Sequence, residues 1–263
     1  MFRNRRNCSD AITFTAMAPS QGQIWLAAIR SVVFNVLLFG GLSLLMIVHA
    51  PALLFNKVPS YLFTATGRYT LWLVKVICGL RYQVQGAEYI PAGSCIFASK
   101  HQSAWDTAVF LVLIPEISYV LKKELTKIPI YGKFLERYGM ISIDRNRGRK
   151  ALLDLKTQAK ELLDKNRKIV IFPEGSRTAI GSKGDYQKGI LILYKEFDCP
   201  IVPVALNSGL KWGKRSWIKW PGVITIQFLP SMPKNLENEA FMYELEERIE
   251  SVSLELLKKP ESN

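Results

Sequence analysis

Several things are scarce in this 263-residue sequence. It holds two histidines, His49 and His101, and four cysteines, Cys8, Cys78, Cys95 and Cys199. The cysteines are widely scattered and form no Cys-x-x-Cys pair, which argues against a disulfide framework or a zinc cluster and suits a reducing compartment. No group of residues has metal-ligand spacing, so no metal is expected. There is no internal repeat and no low-complexity tract. Acidic residues are in deficit, 22 against 35 basic, for a net charge of +13. That balance points to an anionic partner: a membrane surface, a nucleic acid or a phosphorylated substrate. Apolar residues make up 49% of the chain, which supplies a core and excludes disorder.

Charge is absent altogether from Ser31 to Asn56. A bilayer core takes about 20 apolar residues, and this run is long enough. It starts too late and runs too long for a cleaved signal peptide, although Arg3, Arg5 and Arg6 precede it. Those arginines and Arg30 hold the N-terminus in the cytoplasm. A single crossing would then export the basic remainder. Two arrangements avoid this. Tyr61 to Leu80 could return as an amphipathic second helix, or Gly40-Gly41 and Pro51 could bend the run into a hairpin within one leaflet. Arg68 and Lys75 make a second full crossing costly, which favours a monotopic anchor of two helices. His49, near the end of the run, is an interfacial residue.

From Tyr82 the pattern changes. Apolar runs of strand length fall at 82–84, 95–99, 117–121, 140–143, 168–172, 201–206 and 223–228. Helical patterns fall at 107–114, 123–138, 149–166, 187–197 and 238–259. This alternation predicts an α/β fold, a mixed and mostly parallel sheet covered by helices, preceded by a membrane-associated helical hairpin. Residues 1–81 form the anchor and 82–263 the globular domain.

The chemistry sits at strand ends. Lys100-His101-Gln102-Ser103-Ala104-Trp105-Asp106 follows a buried strand and opens an apolar helix. Positions i and i+5 of a helix point about 140° apart, so His101 and Asp106 meet only if His101 precedes the helix. With Ser103 as the cap, the chain folds back on its first turn and Asp106 can fix the tautomer of His101. On spacing alone, a structural histidine explains the pair better. Three further strand ends shift that balance. Phe172-Pro173-Glu174-Gly175-Ser176-Arg177 forms a tight turn whose amides could face an oxyanion, with Arg177 suited to phosphate. Asp144-Arg145 and Lys122 add cations at two more ends; each alone also fits a solvated loop. Finally, Lys211 to Trp220 interleaves three tryptophans with four basic residues. Headgroup layers and single-stranded nucleic acid both suit that pattern, and the apolar N-terminal run selects the membrane.

In this order, the blocks His101 to Asp106, Gly139 to Arg145, Phe172 to Arg177, and Ile201 to Leu206 with Pro203 resemble those of the glycerolipid acyltransferase family, especially members acting on 1-acylglycerol 3-phosphate. The resemblance spans roughly 82–230 plus the apolar extension. Lys100 departs from it, since many members carry asparagine there, and Ser176 keeps the hydroxyl of a usual threonine. The resemblance implies that 82–263 is an acyltransferase domain. An acyl thioester of coenzyme A or acyl carrier protein donates to a lysophospholipid hydroxyl, with no other cofactor and no nucleic acid. The implied product is phosphatidic acid, made at the membrane (in a bacterium, on the cytoplasmic face of the inner membrane). It also implies His101 as general base, oriented by Asp106. Arg177, Lys122 and Arg145 would serve the acceptor phosphate, Glu174 would position the acceptor or Arg177, and amides near Glu174-Gly175 would face the oxyanion. Other acceptors, such as glycerol 3-phosphate or a lyso-ornithine lipid, share the motifs, and a non-catalytic membrane-surface protein is the remaining alternative.

Overall fold

The computed structural model describes residues 19–54 and 58–258. Expectations placed on Arg3, Arg5, Arg6, Cys8 and Asn56, and the last residue of the 238–259 helix, lie outside the described residues. Helix α1 spans Gln21–His49. Ser20 opens it with a reciprocal capping box: its hydroxyl accepts from the Gln23 amide at 3.3 Å, and the Gln23 side chain accepts from the Ser20 amide at 2.8 Å. The helix runs unbroken through Gly40-Gly41, so of the two arrangements the sequence allowed, the returning second helix forms and the bend at those glycines does not. Gly41 instead lets α2 (Ser60–Cys78) approach. A Cβ on Gly41 would stand 2.1 Å from the Tyr69 hydroxyl, which donates to the Leu37 carbonyl at 2.7 Å. The chain turns in a 3-10 segment, Ala50–Leu54, which contains Pro51. Gly79, at φ 68°, ends α2 in the left-handed conformation that an L side chain resists.

Seven strands follow: β1 (Leu80–Gln85), β2 (Ile96–Ser99), β3 (Ser118–Lys122), β4 (Ile141–Ile143), β5 (Ile169–Ile171), β6 (Ile201–Leu206) and β7 (Gly222–Phe228). They form one sheet in the order β1-β7-β6-β2-β5-β3-β4. Every pairing is parallel except β6 with β7. The mixed, mostly parallel sheet is therefore as predicted. Helices α3 (Trp105–Leu113), α4 (Tyr131–Tyr138), α5 (Arg149–Leu163), α6 (Gly189–Glu196) and α7 (Asn238–Lys258) complete the fold.

Each side of the sheet has its own core. On one side Phe34, Leu38, Leu71 and Val74 of α1 and α2 pack with Phe97, Trp105, Val109 and Val170, so this core is continuous across residue 81. On the other side Ile96, Ala98 and Ile171 meet Leu155 of α5, Ile190 of α6 and Phe241, Leu245 and Ile249 of α7. Strand side chains alternate between the two faces.

Two expectations change in detail. The helix predicted over 123–138 is broken. Lys123–Lys127 is 3-10, Pro129 forces Ile128 into extended backbone, and α4 starts only at Tyr131. Leu125, Ile128, Ile130 and Tyr131 in this break are exposed. The 211–220 stretch is not wholly superficial either. Trp217 is 74% exposed, but Trp212 and Lys219 are buried. The Lys219 amide donates to Ser31 Oγ at 2.8 Å and its ammonium to Asn35 Oδ1 at 2.9 Å. That ammonium also lies 5.3 Å from the Phe34 ring centroid and 5.0 Å from that of Trp212. This loop clamps α1 onto the globular unit.

Candidate active site

The carboxyl ends of β2, β5, β3 and β4 lie in that order along one edge of the sheet. They carry His101, the 172–177 turn, Lys122 and Arg145 in turn. With strands about 4.8 Å apart, the row spans about 14 Å. Open α/β sheets bind ligands at such an edge, where successive connections leave to opposite sides. Here the chain passes from β2 to β3 on one side, and from β5 to β6 on the other.

His101 precedes α3, and Asp106 is the second residue of that helix. Asp106 Oδ2 accepts from His101 Nδ1 at 2.9 Å and from the amides of Gln102 and Ser103 at 2.8 Å each. A carboxylate that already accepts two amides has no proton to offer, so Nδ1 is the donor and Nε2 carries the lone pair of the neutral ring. Ser103 is not the N-cap; that position is Ala104, whose side chain cannot cap. The Ser103 hydroxyl instead accepts from the Trp105 amide at 3.1 Å. The expected capping role therefore passes to Asp106, which reaches back over its own first turn. The other oxygen, Asp106 Oδ1, is buried without a partner. The imidazole stacks on Phe172, with centroids 3.9 Å apart and planes 19° apart. That contact leaves the side chain 12% exposed.

The 172–178 segment holds the His101 backbone at both ends. Glu174 Oε1 accepts from the His101 amide at 3.2 Å. Thr178 donates to the His101 carbonyl from its amide at 2.8 Å and its hydroxyl at 3.2 Å. Glu174 consequently does not reach toward an acceptor or Arg177, as the sequence suggested. Its side chain is 0% exposed, and its second oxygen receives the Lys100 ammonium at 3.0 Å and the Gly184 amide at 2.9 Å. The expected oxyanion amide at Gly175 is also engaged, donating to the Phe172 carbonyl at 2.9 Å. Gly175 has φ 69°, and a Cβ there would stand 3.0 Å from Arg145 Nη1. Arg145 donates to the Gly175 carbonyl and so braces the turn from two strands away. Lys122, Arg145, Ser176 and Arg177 are exposed at the edge. Among the described residues, burial disfavours Cys95 and Cys199 as nucleophiles, pushing the Cys95 thiol up to about 12 and the Cys199 thiol up to about 11.

Sequence reasoning missed Phe172 as the stacking partner of His101, and it missed Tyr186 and Glu250 altogether. Alternation along β2 placed Lys100 and His101 on opposite faces, which was a usable signal for the first half of that arrangement.

A histidine held by a buried acid beside a cationic strand-end row is an arrangement that can take a proton from a hydroxyl. The acyltransferase family profile matches residues 81–207. The chain is 36% identical over 230 residues to a 1-acyl-sn-glycerol-3-phosphate acyltransferase of Pseudomonas aeruginosa, covering 85% of this chain and 88% of that one. It is 32% identical over 161 residues to the protein of that name from Helicobacter pylori, covering 60% and 68%. The crystal structure of the Thermotoga maritima lysophosphatidic acid acyltransferase PlsC has the same fold, with a TM-score of 0.67 at 20% identity, covering 92% of this chain and 98% of that one. The protein belongs to the acyltransferase family and is an enzyme of that class.

Proposed function

We propose that the protein transfers an acyl group from an acyl thioester, of coenzyme A or acyl carrier protein, to the sn-2 hydroxyl of 1-acylglycerol 3-phosphate, giving phosphatidic acid. The single observation that carries this reading is the His101–Asp106 contact at 2.9 Å, which leaves Nε2 open beside the cationic row. His101 Nε2 takes the proton of the acceptor hydroxyl as its oxygen attacks the thioester carbonyl. The carbon–sulfur bond then breaks, and the imidazolium returns the proton to the departing sulfur, leaving an ester and a free thiol. Asp106 holds the tautomer and offsets the imidazolium charge. No acyl-enzyme is needed. Arg177 and Lys122 face the acceptor phosphate, and Arg145 acts on the same site through the Gly175 carbonyl.

A leaflet-resident acceptor explains the N-terminal helices. Ser31 and Phe34 of α1 meet the 211–220 loop and Leu38 joins the same core, while Trp25, Ile29, Val32, Val36 and Phe39 form an exposed apolar stripe. A helix held through its middle in this way, with an apolar outer side, supports a monotopic anchor in the leaflet that the active site faces. In a bacterium this is the cytoplasmic leaflet of the inner membrane. Exposed Leu125, Ile128, Ile130 and Trp217 add apolar surface.

The test uses purified protein, an acyl-coenzyme A or acyl carrier protein donor, and lysophosphatidic acid in competition with glycerol 3-phosphate and lyso-ornithine lipid. Thiol release and product mass are followed. Phosphatidic acid is the expected main product, with KM for the phosphate-bearing acceptor rising about tenfold in Arg177→Ala. An equal preference for a phosphate-free acceptor would overturn the assignment.

A further inference from the structure

His101 and Lys100 are neighbours whose side chains leave β2 on opposite faces. Lys100 is 1% exposed, and its ammonium uses all its donor capacity. It reaches Glu174 Oε2 at 3.0 Å, the Ser182 carbonyl at 3.0 Å and both oxygens of Glu250 at 2.8 Å. Glu250 belongs to α7, some 150 residues away in sequence, and also accepts from the Tyr186 hydroxyl at 3.1 Å. Four segments thus converge on one buried cation: the end of β2, the turn after β5, the 182–186 loop and the C-terminal helix. The acyl-transfer chemistry uses none of these four groups directly.

We propose that Lys100 is a positioning residue which, through Glu174 and Glu250, locks the C-terminal helix to the loop that presents His101. The inference rests on the acyl-transfer reading for its kinetic consequence, but not for its geometry. Glu174 connects the node to the base, since its other oxygen holds the His101 amide at 3.2 Å. The same carboxylate holds the Gly184 amide, so the loop following Arg177 is fixed by the same charge. Removing the ammonium leaves two carboxylates facing each other out of water, and repulsion of that kind is far more disruptive than absence of the whole group. Burial already pushes the Glu250 carboxyl up against the opposing pull of Lys100. Asparagine at this position is too short to reach both carboxylates, so a node spanning to α7 requires the longer side chain.

The test compares the full-length wild type with Lys100→Met, Glu250→Gln and the double variant. Lys100→Met lowers kcat at least tenfold, with KM for lysophosphatidic acid changed less than threefold. The double variant recovers most of that loss, because the neutral amide that replaces the Glu250 carboxylate can donate to Glu174 and hold the turn. Rates are taken per mole of folded protein, measured by circular dichroism, so a change that only weakened folding leaves kcat at the wild-type value. Wild-type kcat in Lys100→Met, or a double variant no better than it, overturns the proposal. If Lys100→Met does not fold, Glu250→Gln carries the test by hydrogen exchange. Peptides covering 99–106 and 182–186 then exchange faster than in the wild type, whereas changes confined to α7 overturn the proposal. The exchange arm stands even if the wild type forms no phosphatidic acid, a result that would sink only the assigned reaction.

Discussion

The two faces of the sheet are built from comparable parts for different surroundings. On the His101 face, α1 buries Ala27, Ser31, Phe34 and Leu38 and shows Trp25, Ile29, Val32 and Val36 outward. On the Lys100 face, α7 buries Phe241, Leu245, Ile249 and Leu256 and shows Glu239, Glu247 and Glu255 outward. Inner stripes of the same kind meet outer stripes of opposite character. The face that carries the base is the one whose helices can enter lipid, and the face that carries the charged node is the one that water surrounds. Under the proposed reaction, a lipid hydroxyl would come to the imidazole from the apolar side. The ammonium that steadies the imidazole's backbone is kept in a closed polar pocket on the other side.

The sharpest way to break this comparison is at His101, just past β2, and the carboxylate that holds it. His101→Ala is expected to lower kcat by about 10³-fold, the size of a lost general base. Asp106→Asn is expected to cost about 10²-fold. The asparagine oxygen, in the place of Oδ2, can still accept from Nδ1 and from the Gln102 and Ser103 amides, but its NH2 would take the place of the buried, partnerless Oδ1, and the negative charge that offsets the imidazolium would be lost. Initial rates of thiol release check both. Turnover near wild type in His101→Ala would remove the base from this face.

Next comes packing. Phe34→Ala and Leu245→Ala each remove a fully buried side chain, one from each core. Each is expected to cost about 3 kcal/mol of stability. They should part in a second measurement. Phe34 also meets Trp212 edge to face, with centroids 5.3 Å apart, and lies beneath the Lys219 ammonium. Its loss should therefore loosen α1 and speed proteolysis near residue 30 in detergent, whereas Leu245→Ala should not. Equal proteolysis in both variants would mean that the clamp at Lys219 does not hold α1.

The legible part of the molecule follows the same division. All seven strands are readable because short β-branched runs between turn residues have few alternatives, and α7 is readable from its apolar period. The 123–138 region is not, because its period continues through Pro129 while the backbone cannot. Gly40-Gly41 left a bend open as an alternative for a physical reason: glycine permits a bend, but here Gly41 admits Tyr69, and a close approach leaves no local signal. His101 and Asp106 were readable from spacing once the helix start was placed between them. The partners of Lys100 were not, since Glu174 and Glu250 stand 74 and 150 residues away. Glu174 was singled out for its neighbours in the turn, yet its carboxylate points back beneath the sheet edge.

The smallest expected effect tests the outer surfaces alone. Val36 is 66% exposed on α1, and Tyr243 is 72% exposed on α7. Neither supports a core, so Val36→Asn and Tyr243→Asn should leave the melting temperature within a degree or two. If the α1 stripe lies in lipid, Val36→Asn replaces a buried apolar side chain with an amide that lacks hydrogen-bond partners there. At about 1 to 1.5 kcal/mol, this weakens partition onto anionic phospholipid vesicles by roughly five- to tenfold. Tyr243→Asn, facing water before and after, should leave partition unchanged. Flotation of the two variants against wild type, with lipid concentration varied, measures the difference directly. Equal partition would mean that the outer stripe of α1 meets something other than a bilayer, and the contrast between the two faces would then have to come from a protein partner covering α1.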